Sequence, residues 1–175
     1  YWEKVIDEDQ LNPEPIVRGA IRWLRNNPPP PAQKLAVVHG DYRVGNFLYN
    51  EQGDICAILD WEMCHLGDPY EDIAWASDPM WSHENYDRPG NMIERKEAFR
   101  IWEEASGMKI DYDALKWWEI FSFVKGIAIW TSAAKEYLTG KNKSLILAWS
   151  GFHPKIVQNR LLAQRMSQLA KEVIL

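Results

Sequence analysis

No stretch of the 175 residues approaches about 18 consecutive apolar residues, so a membrane span is excluded. Cysteine is scarce. Cys56 and Cys64 make neither a CxxC pair nor a disulfide framework, and the expectation is two reduced thiols in a cytoplasmic protein. Cys64-His65 and His39 fit no zinc-motif spacing. Basic residues are scattered, and the net charge of −5 repels nucleic acid. Tyr1-Trp2-Glu3-Lys4 is no signal peptide and lacks an initiator Met, which leads us to expect part of a longer chain. Gly and Pro, at ten each, are too few for a collagen-like or low-complexity chain. What abounds is Trp, also ten, an aromatic surface that demands burial or stacking.

Proline punctuates the N-terminal part. Asn12 is placed to cap a first helix whose first turn takes Pro13. Val17, Ala20, Ile21 and Leu24 share one face of it, and the four prolines at 28–31 end it as a stiff spacer. Residues 35–38 are rich in β-branched side chains and read as a buried strand. Residues 47–50, a turn at 51–54 and residues 55–59 form a β-hairpin pattern.

The remainder reads as helix. A short helix runs from Asp68-Pro69 to about Ala76, followed by a loop over 78–90. Asn91 with Glu94 makes a capping-box-like start for a helix carrying Phe99 and Trp102 and ending near Gly107. Asp111 caps a long helix that ends near Gly140. Its apolar residues, from Leu115 to Trp130, go nearly all the way round, so it is central in a core or covered by another element. A last amphipathic helix runs from about Pro154 to the C-terminus. With no alternating βαβ units, the pattern argues against a doubly wound sheet. The expected class is mainly α with a small β-hairpin, α+β.

Chemistry concentrates between residues 39 and 72. With the turn centred on Gln52-Gly53, paired hairpin residues have numbers summing to about 105. Asn46 then lies opposite Leu59, with Asp60 beside it, and Asp41 enters at the same open end. Asn and Asp offer hard oxygen ligands that suit Mg2+, whose other positions go to water and substrate phosphates. Gly40 to Gly45 has the spacing G-x-x-x-x-G, but Asn46-Phe47 follows instead of Lys-Ser/Thr, so it is not a Walker phosphate loop.

His39-Gly40-Asp41 followed by Asn46 repeats the spacing of the kinase catalytic loop, H-R-D-x-x-x-x-N. Asp60 stands where protein kinases carry the metal-binding Asp of Asp-Phe-Gly. Ile58-Leu59-Asp60-Trp61-Glu62 and Gly67-Asp68-Pro69-Tyr70-Glu71-Asp72-Ile73-Ala74 complete three ordered blocks. In these the chain resembles the aminoglycoside phosphotransferase and choline kinase-like superfamily. Asp41-Tyr42-Arg43 and Trp61-Glu62 look like the branch attached to some acyl-CoA dehydrogenases.

The resemblance implies the C-terminal lobe of a protein kinase-like fold, with the catalytic loop and hairpin at 35–62 and a helical subdomain at 68–175. It implies Asp41 as the catalytic base and Asn46 and Asp60 as Mg2+ ligands holding ATP phosphates. Arg43 is placed to stabilise charge on the transferring phosphoryl group. Around them His39 reads as a brace bonded to backbone. Glu62 reads either as a structural hydrogen-bonder or as a residue behind the metal ligands. Asp68 reads as a helix cap and Asp72 as a brace of the catalytic loop.

The implied function is ATP-dependent phosphoryl transfer to a small-molecule hydroxyl, with the loop from Asp78 to Gly90, and Trp75, Trp81 and Tyr86, either lining the acceptor pocket or packing as an aromatic surface loop. Nothing before Leu35 reads as the small sheet and lysine strand of a nucleotide-binding N-terminal lobe. The expectation is a catalytic lobe without that partner lobe, inactive alone, whose uncovered apolar face drives self-association. Two other classes stay open. A non-catalytic kinase-like binding or scaffold module is disfavoured by the intact Asp41, Asn46 and Asp60, and a metal-dependent hydrolase by the scarcity of His.

Overall fold

A computed structural model describes residues 1–83 and 85–174, with side chains through Lys171. The helices are α1 (Trp2–Asp9), α2 (Pro15–Asn26), α3 (Tyr70–Ala76), α4 (Arg95–Ser106), α5 (Tyr112–Leu138) and α6 (Leu145–Ile174). The strands are β1 (Ala36–Val38), β2 (Phe47–Tyr49), β3 (Ile55–Ile58) and β4 (His65–Gly67). The chain is thus mainly helical with small antiparallel sheets, as the pattern implied. It divides into two compact units, Pro29–Glu119 and Tyr1–Pro28 with Ile120–Leu175.

In the unit Pro29–Glu119, β2 and β3 form the expected hairpin. Phe47 faces Ile58 and Leu48 faces Ala57, and a bulge after Leu48 brings Tyr49 against Ile55. At the turn, the Asn50 Oδ1 accepts from the backbone N–H groups of Gln52 (3.0 Å) and Asp54 (2.8 Å). This Asx geometry sets the register from the tip inward. At the open end, Leu59 N–H donates to the Asn46 carbonyl at 2.8 Å, so the predicted opposition of these two residues holds.

β1 pairs with β4 instead, Val38 against His65. It is not the buried strand its composition suggested: Val38 is fully buried, but Val37 is 68% exposed. β4 itself escaped the sequence reading. His65-Leu66-Gly67 has no β-branched residue, and only backbone pairing marks it as a strand.

α3 buries Tyr70, Ile73 and Ala74 against Phe99, Ala114 and Leu115. The Tyr70 hydroxyl donates to the Lys109 carbonyl and accepts from Asp111 N–H, both at 2.7 Å, which pins the entry to α5. Asp111 caps α5, accepting from the N–H groups of Asp113 and Ala114. α4 starts later than expected. Its N-cap is Glu94, whereas Asn91 lies in a preceding 3-10 turn at φ 59°. Gly107 ends it in the left-handed conformation, as a C-cap glycine does.

In the second unit, α2 begins at Pro15 rather than Pro13. A residue before proline is held out of the α region, so Glu14 cannot lie inside a helix that started earlier. Val17, Ala20, Ile21 and Leu24 are all buried. α1 was not anticipated. It buries only Ile6, too little to print a helical period, and ion pairs of Glu3 with Arg25 and Asp7 with Arg18 tie it to α2. Residues 122–128 of α5 are buried without interruption, which places that stretch at the centre of this unit's core.

α6 begins at Leu145, well before Pro154, which lies inside it. A proline there removes one intrahelical bond and costs about 3 kcal/mol or more. Pro154 itself is buried, as are Ser150, Gln158, Leu161, Leu162 and Leu169, and this continuous face offsets the break. Leu175, where the expected helix would end, lies outside the described residues. Among the described residues no helix is long and apolar enough to cross a membrane. Cys56 and Cys64 are free and exposed.

Two glycines give a test of opposite sign. A Cβ at Gly151 would stand 2.5 Å from the Ala134 Cβ, so Gly151→Ala overpacks and is expected to lower stability by about 1–3 kcal/mol. At Gly19, inside α2, nothing lies within 4 Å of a new Cβ, and Gly19→Ala is expected to raise stability by about 0.5–1 kcal/mol. Urea unfolding of both variants checks the pair.

Candidate active site

The loop from His39 to Asp41 is held from two sides. On one side, α3 presents Asp72, whose Oδ2 accepts from His39 N–H (2.7 Å) and whose Oδ1 accepts from Gly40 N–H (2.9 Å). On the other, the buried His39 ring lies between Asp41 N–H, 3.1 Å from Nδ1, and the Leu59 carbonyl, 2.8 Å from Nε2. A backbone N–H only donates and a carbonyl only accepts. Nδ1 is therefore the acceptor and Nε2 the donor in this arrangement. Gly40 sits at φ +84°, where a Cβ would stand 2.7 Å from the Met63 carbonyl oxygen, so the turn requires glycine.

Asp41 emerges from this loop into a ring of donors. Trp75 Nε1 donates to its Oδ1 at 2.7 Å and Asn46 Nδ2 to its Oδ2 at 2.8 Å. Arg43 Nε reaches both oxygens at 3.1 Å. Asn46 also donates to the Asp41 carbonyl at 2.9 Å. The guanidinium of Arg43 lies over the Trp81 ring, 5.1 Å from its centroid, and Trp81 meets Trp75 edge-on at 5.2 Å.

Asp60 is exposed and follows β3 directly, at φ 68° and ψ 57°. Asp is among the few residues that enter this left-handed region with modest strain. Its neighbours are pinned. Leu59 is bonded to Asn46 and His39, and Trp61 Nε1 donates to the Ile58 carbonyl at 2.8 Å while its ring packs 4.6 Å from that of His39.

The structure therefore joins Asp41, Arg43, Asn46 and His39 in one hydrogen-bonded group, with Asp72 behind it and Asp60 attached through Leu59. Two predicted residues stay outside. Glu62 is exposed in the Trp61–Met63 turn. The Asp68 oxygens take Tyr70 N–H (3.0 Å) and Trp118 Nε1 (3.3 Å) at the start of α3.

Trp75 is a correction. The sequence reading set it in an acceptor pocket or a surface loop, yet it is 1% exposed and bonded to Asp41. Its spacing from Asp72, three residues along α3, is the signal that puts both on the face turned to the loop. A second pair went unread. His65 lies 3.1 Å from the Glu71 carboxylate through Nε2 and 3.1 Å from the Met63 carbonyl through Nδ1.

Burial raises the Asp72 carboxyl above its ordinary value, against the pull of the His39 and Gly40 N–H groups. Burial also raises the Tyr42 phenol, with the Asp72 charge adding to it.

Helical mass, two small sheets and a histidine-braced aspartate beside a hairpin define a kinase-like fold. Residues 2–118 match the phosphotransferase enzyme family, and the chain belongs to that family. A crystal structure of a Ralstonia eutropha JMP134 protein, assigned as an aminoglycoside phosphotransferase, superimposes with a TM-score of 0.79 at 20% identity. The match covers 95% of this chain and 53% of that one. Acyl-CoA dehydrogenase family member 11 of Gallus gallus is 32% identical over 77 residues, 43% of this chain and 10% of that protein. Acyl-CoA dehydrogenase family member 10 of Mus musculus is 27% identical over 161 residues, 86% of this chain and 15% of that protein. The chain thus spans a small part of these relatives.

The raised Asp72 carboxyl has a signed consequence. Between the ordinary value of 3.8 and its raised value, the folded chain keeps a proton that the unfolded chain has released. Stability from this group therefore falls as pH rises through that window and is level above it. Asp72→Asn is expected to remove this slope. It also leaves one N–H of the loop without its acceptor, at a cost of about 1–3 kcal/mol. Urea unfolding of both proteins from pH 3.5 to 7 reads both effects.

Proposed function

We propose that this chain carries the catalytic machinery of an ATP- and Mg2+-dependent kinase acting on a small-molecule hydroxyl. The observation that supports it best is the placing of a tightly held carboxylate, Asp41, beside two oxygen ligands at the open end of one hairpin. The donor set fits the ion. Asn46 commits its amide nitrogen to Asp41, which leaves its oxygen to serve as a ligand, and Asp60 offers an exposed carboxylate across the Asn46–Leu59 bond. Among the described residues no group of three His, Cys, Asp or Glu could hold a metal. A site of one Asn and one Asp suits Mg2+, which takes its other ligands from water and phosphates.

Mg2+·ATP, when bound, supplies an electrophilic γ-phosphoryl group with part of its charge neutralised. Asp41 orients the acceptor hydroxyl and takes its proton as the new O–P bond forms. Arg43 offers a guanidinium to the transferring group. His39 and Asp72 keep the loop in place, so positioning and electrostatics supply most of the rate. The reading calls for a second lobe over the phosphates. Leu48, Ile55 and Leu59 on the hairpin, with Val37 and Leu66 on β1 and β4, are exposed apolar side chains suited to meet such a lobe or, without it, a second copy.

Calorimetric titration of Mg2+·ATP into the polypeptide that carries this chain with its nucleotide-binding lobe tests the proposal. Asp60→Ala is expected to weaken binding about tenfold or more, since it removes a ligand of the ion. Asp41→Asn is expected to keep the affinity and to lower transfer to a panel of alcohols roughly 100-fold or more. Equal ATP affinity in Asp60→Ala, or undiminished transfer in Asp41→Asn, overturns it.

A further inference from the structure

The carboxylate of Asp41 is crowded. Its oxygens receive four contacts, from Trp75 and Arg43 at Oδ1 and from Asn46 and Arg43 at Oδ2. A carboxylate offers about four lone-pair sites. A general base must also receive the acceptor hydroxyl, at about 2.6–3.2 Å. Three N–H groups make these contacts, and the Arg43 Nε–H, shared between both oxygens, covers the space the hydroxyl needs.

The three donors differ in how firmly they are held. Trp75 is 1% exposed, within α3 and against Trp81. Asn46 is 6% exposed, and its backbone is bonded to Arg43 and Leu59 on either side. Arg43 is the loose one. Its side chain is 30% exposed, its single Nε–H is split between two oxygens at 3.1 Å, and the longest of the contacts are its own. Its guanidinium passes directly over Gly45, where any side chain would meet Nη1. A guanidinium with N–H groups to spare is also the donor best matched to phosphate, which it binds in a bidentate fashion.

Resting on the kinase reading above, we propose that Arg43 occupies Asp41 until the phosphates of bound nucleotide draw it away. Trp75 is then the positioning residue that keeps the freed carboxylate aimed. The exchange couples the base to the nucleotide. Without nucleotide, Arg43 competes with the acceptor hydroxyl for Asp41. With nucleotide, the hydroxyl takes the vacated position and its proton passes to Asp41. The acceptor oxygen bonds to phosphorus, and the bond from phosphorus to the ADP oxygen breaks.

Trp81 reports the position of Arg43, because the guanidinium lies on its ring. The test uses 5-fluorotryptophan and fluorine NMR on the polypeptide carrying this chain with its nucleotide-binding lobe. Trp75→Phe and Trp81→Phe assign the two signals. Saturating Mg2+·AMP-PNP is expected to move the Trp81 signal to the position it takes in Arg43→Ala, and to leave that variant's signal still. In turnover with Mg2+·ATP and water as acceptor, Trp75→Phe is expected to lower kcat about tenfold or more, the scale of a misplaced catalytic group, with KM for ATP within about twofold. A Trp81 signal that stays put while Asp60-dependent binding occurs overturns the role of Arg43. An unchanged kcat in Trp75→Phe, or one that falls only with the melting temperature, overturns that of Trp75. ATP affinity that does not depend on Asp60 overturns the kinase reading itself.

Discussion

The site rests on one carboxylate that does no chemistry in the proposed reaction. Asp72 receives two consecutive backbone N–H groups, those of His39 and Gly40. Both belong to a turn that its glycine bends out of ordinary conformations, so neither has a strand or helix partner. Burying them otherwise would cost about 1–3 kcal/mol each. Asp72 supplies both acceptors from α3, which is itself anchored by Tyr70, Ile73 and Ala74 in the apolar core. The core thereby positions the loop, and the loop positions Asp41.

The second restraint runs through His39. Its two nitrogens connect Asp41 N–H to the Leu59 carbonyl. Asp41 and Asp60 come from opposite sides of the hairpin, and the buried imidazole ring spans the gap between Asp41 and Leu59, the residue before Asp60. A hydrogen-bonded ring of this kind acts as a spacer. Both ring nitrogens are committed, one as acceptor and one as donor, so the ring holds the native distance.

The site was legible because its residues sit at element ends. Asp41, Asn46 and Asp60 are spaced by a hairpin whose register follows from its turn, and Asn46 does lie opposite Leu59. The helices came through where one face is apolar, as in α2 and α3. Pro15 moved a boundary because its effect falls on the residue before it. β4 was lost because pairing, unlike packing, leaves no mark on side-chain choice. The start of α6 is missed because Pro154 reads as the first turn of a helix, whereas a continuous buried face carries the helix through it. Trp75 was misplaced for a different reason. Composition shows that an indole wants burial, but a single N–H aimed at a carboxylate is a fact of three dimensions.

The left-handed backbone at Asp60 carries a consequence for the descent of this fold. Position 60 answers to a conformation that few L-residues enter readily and, in the proposed reaction, to a charge at the mouth of the hairpin. Asparagine meets the first and fails the second. A descendant that abandons phosphoryl transfer would therefore drift to Asn or Gly here far more readily than to Ala or Leu. Among sequences that keep the His39, Gly40 and Asp72 framework, the proposed reaction makes the residue at this position a marker that separates working copies from retired ones.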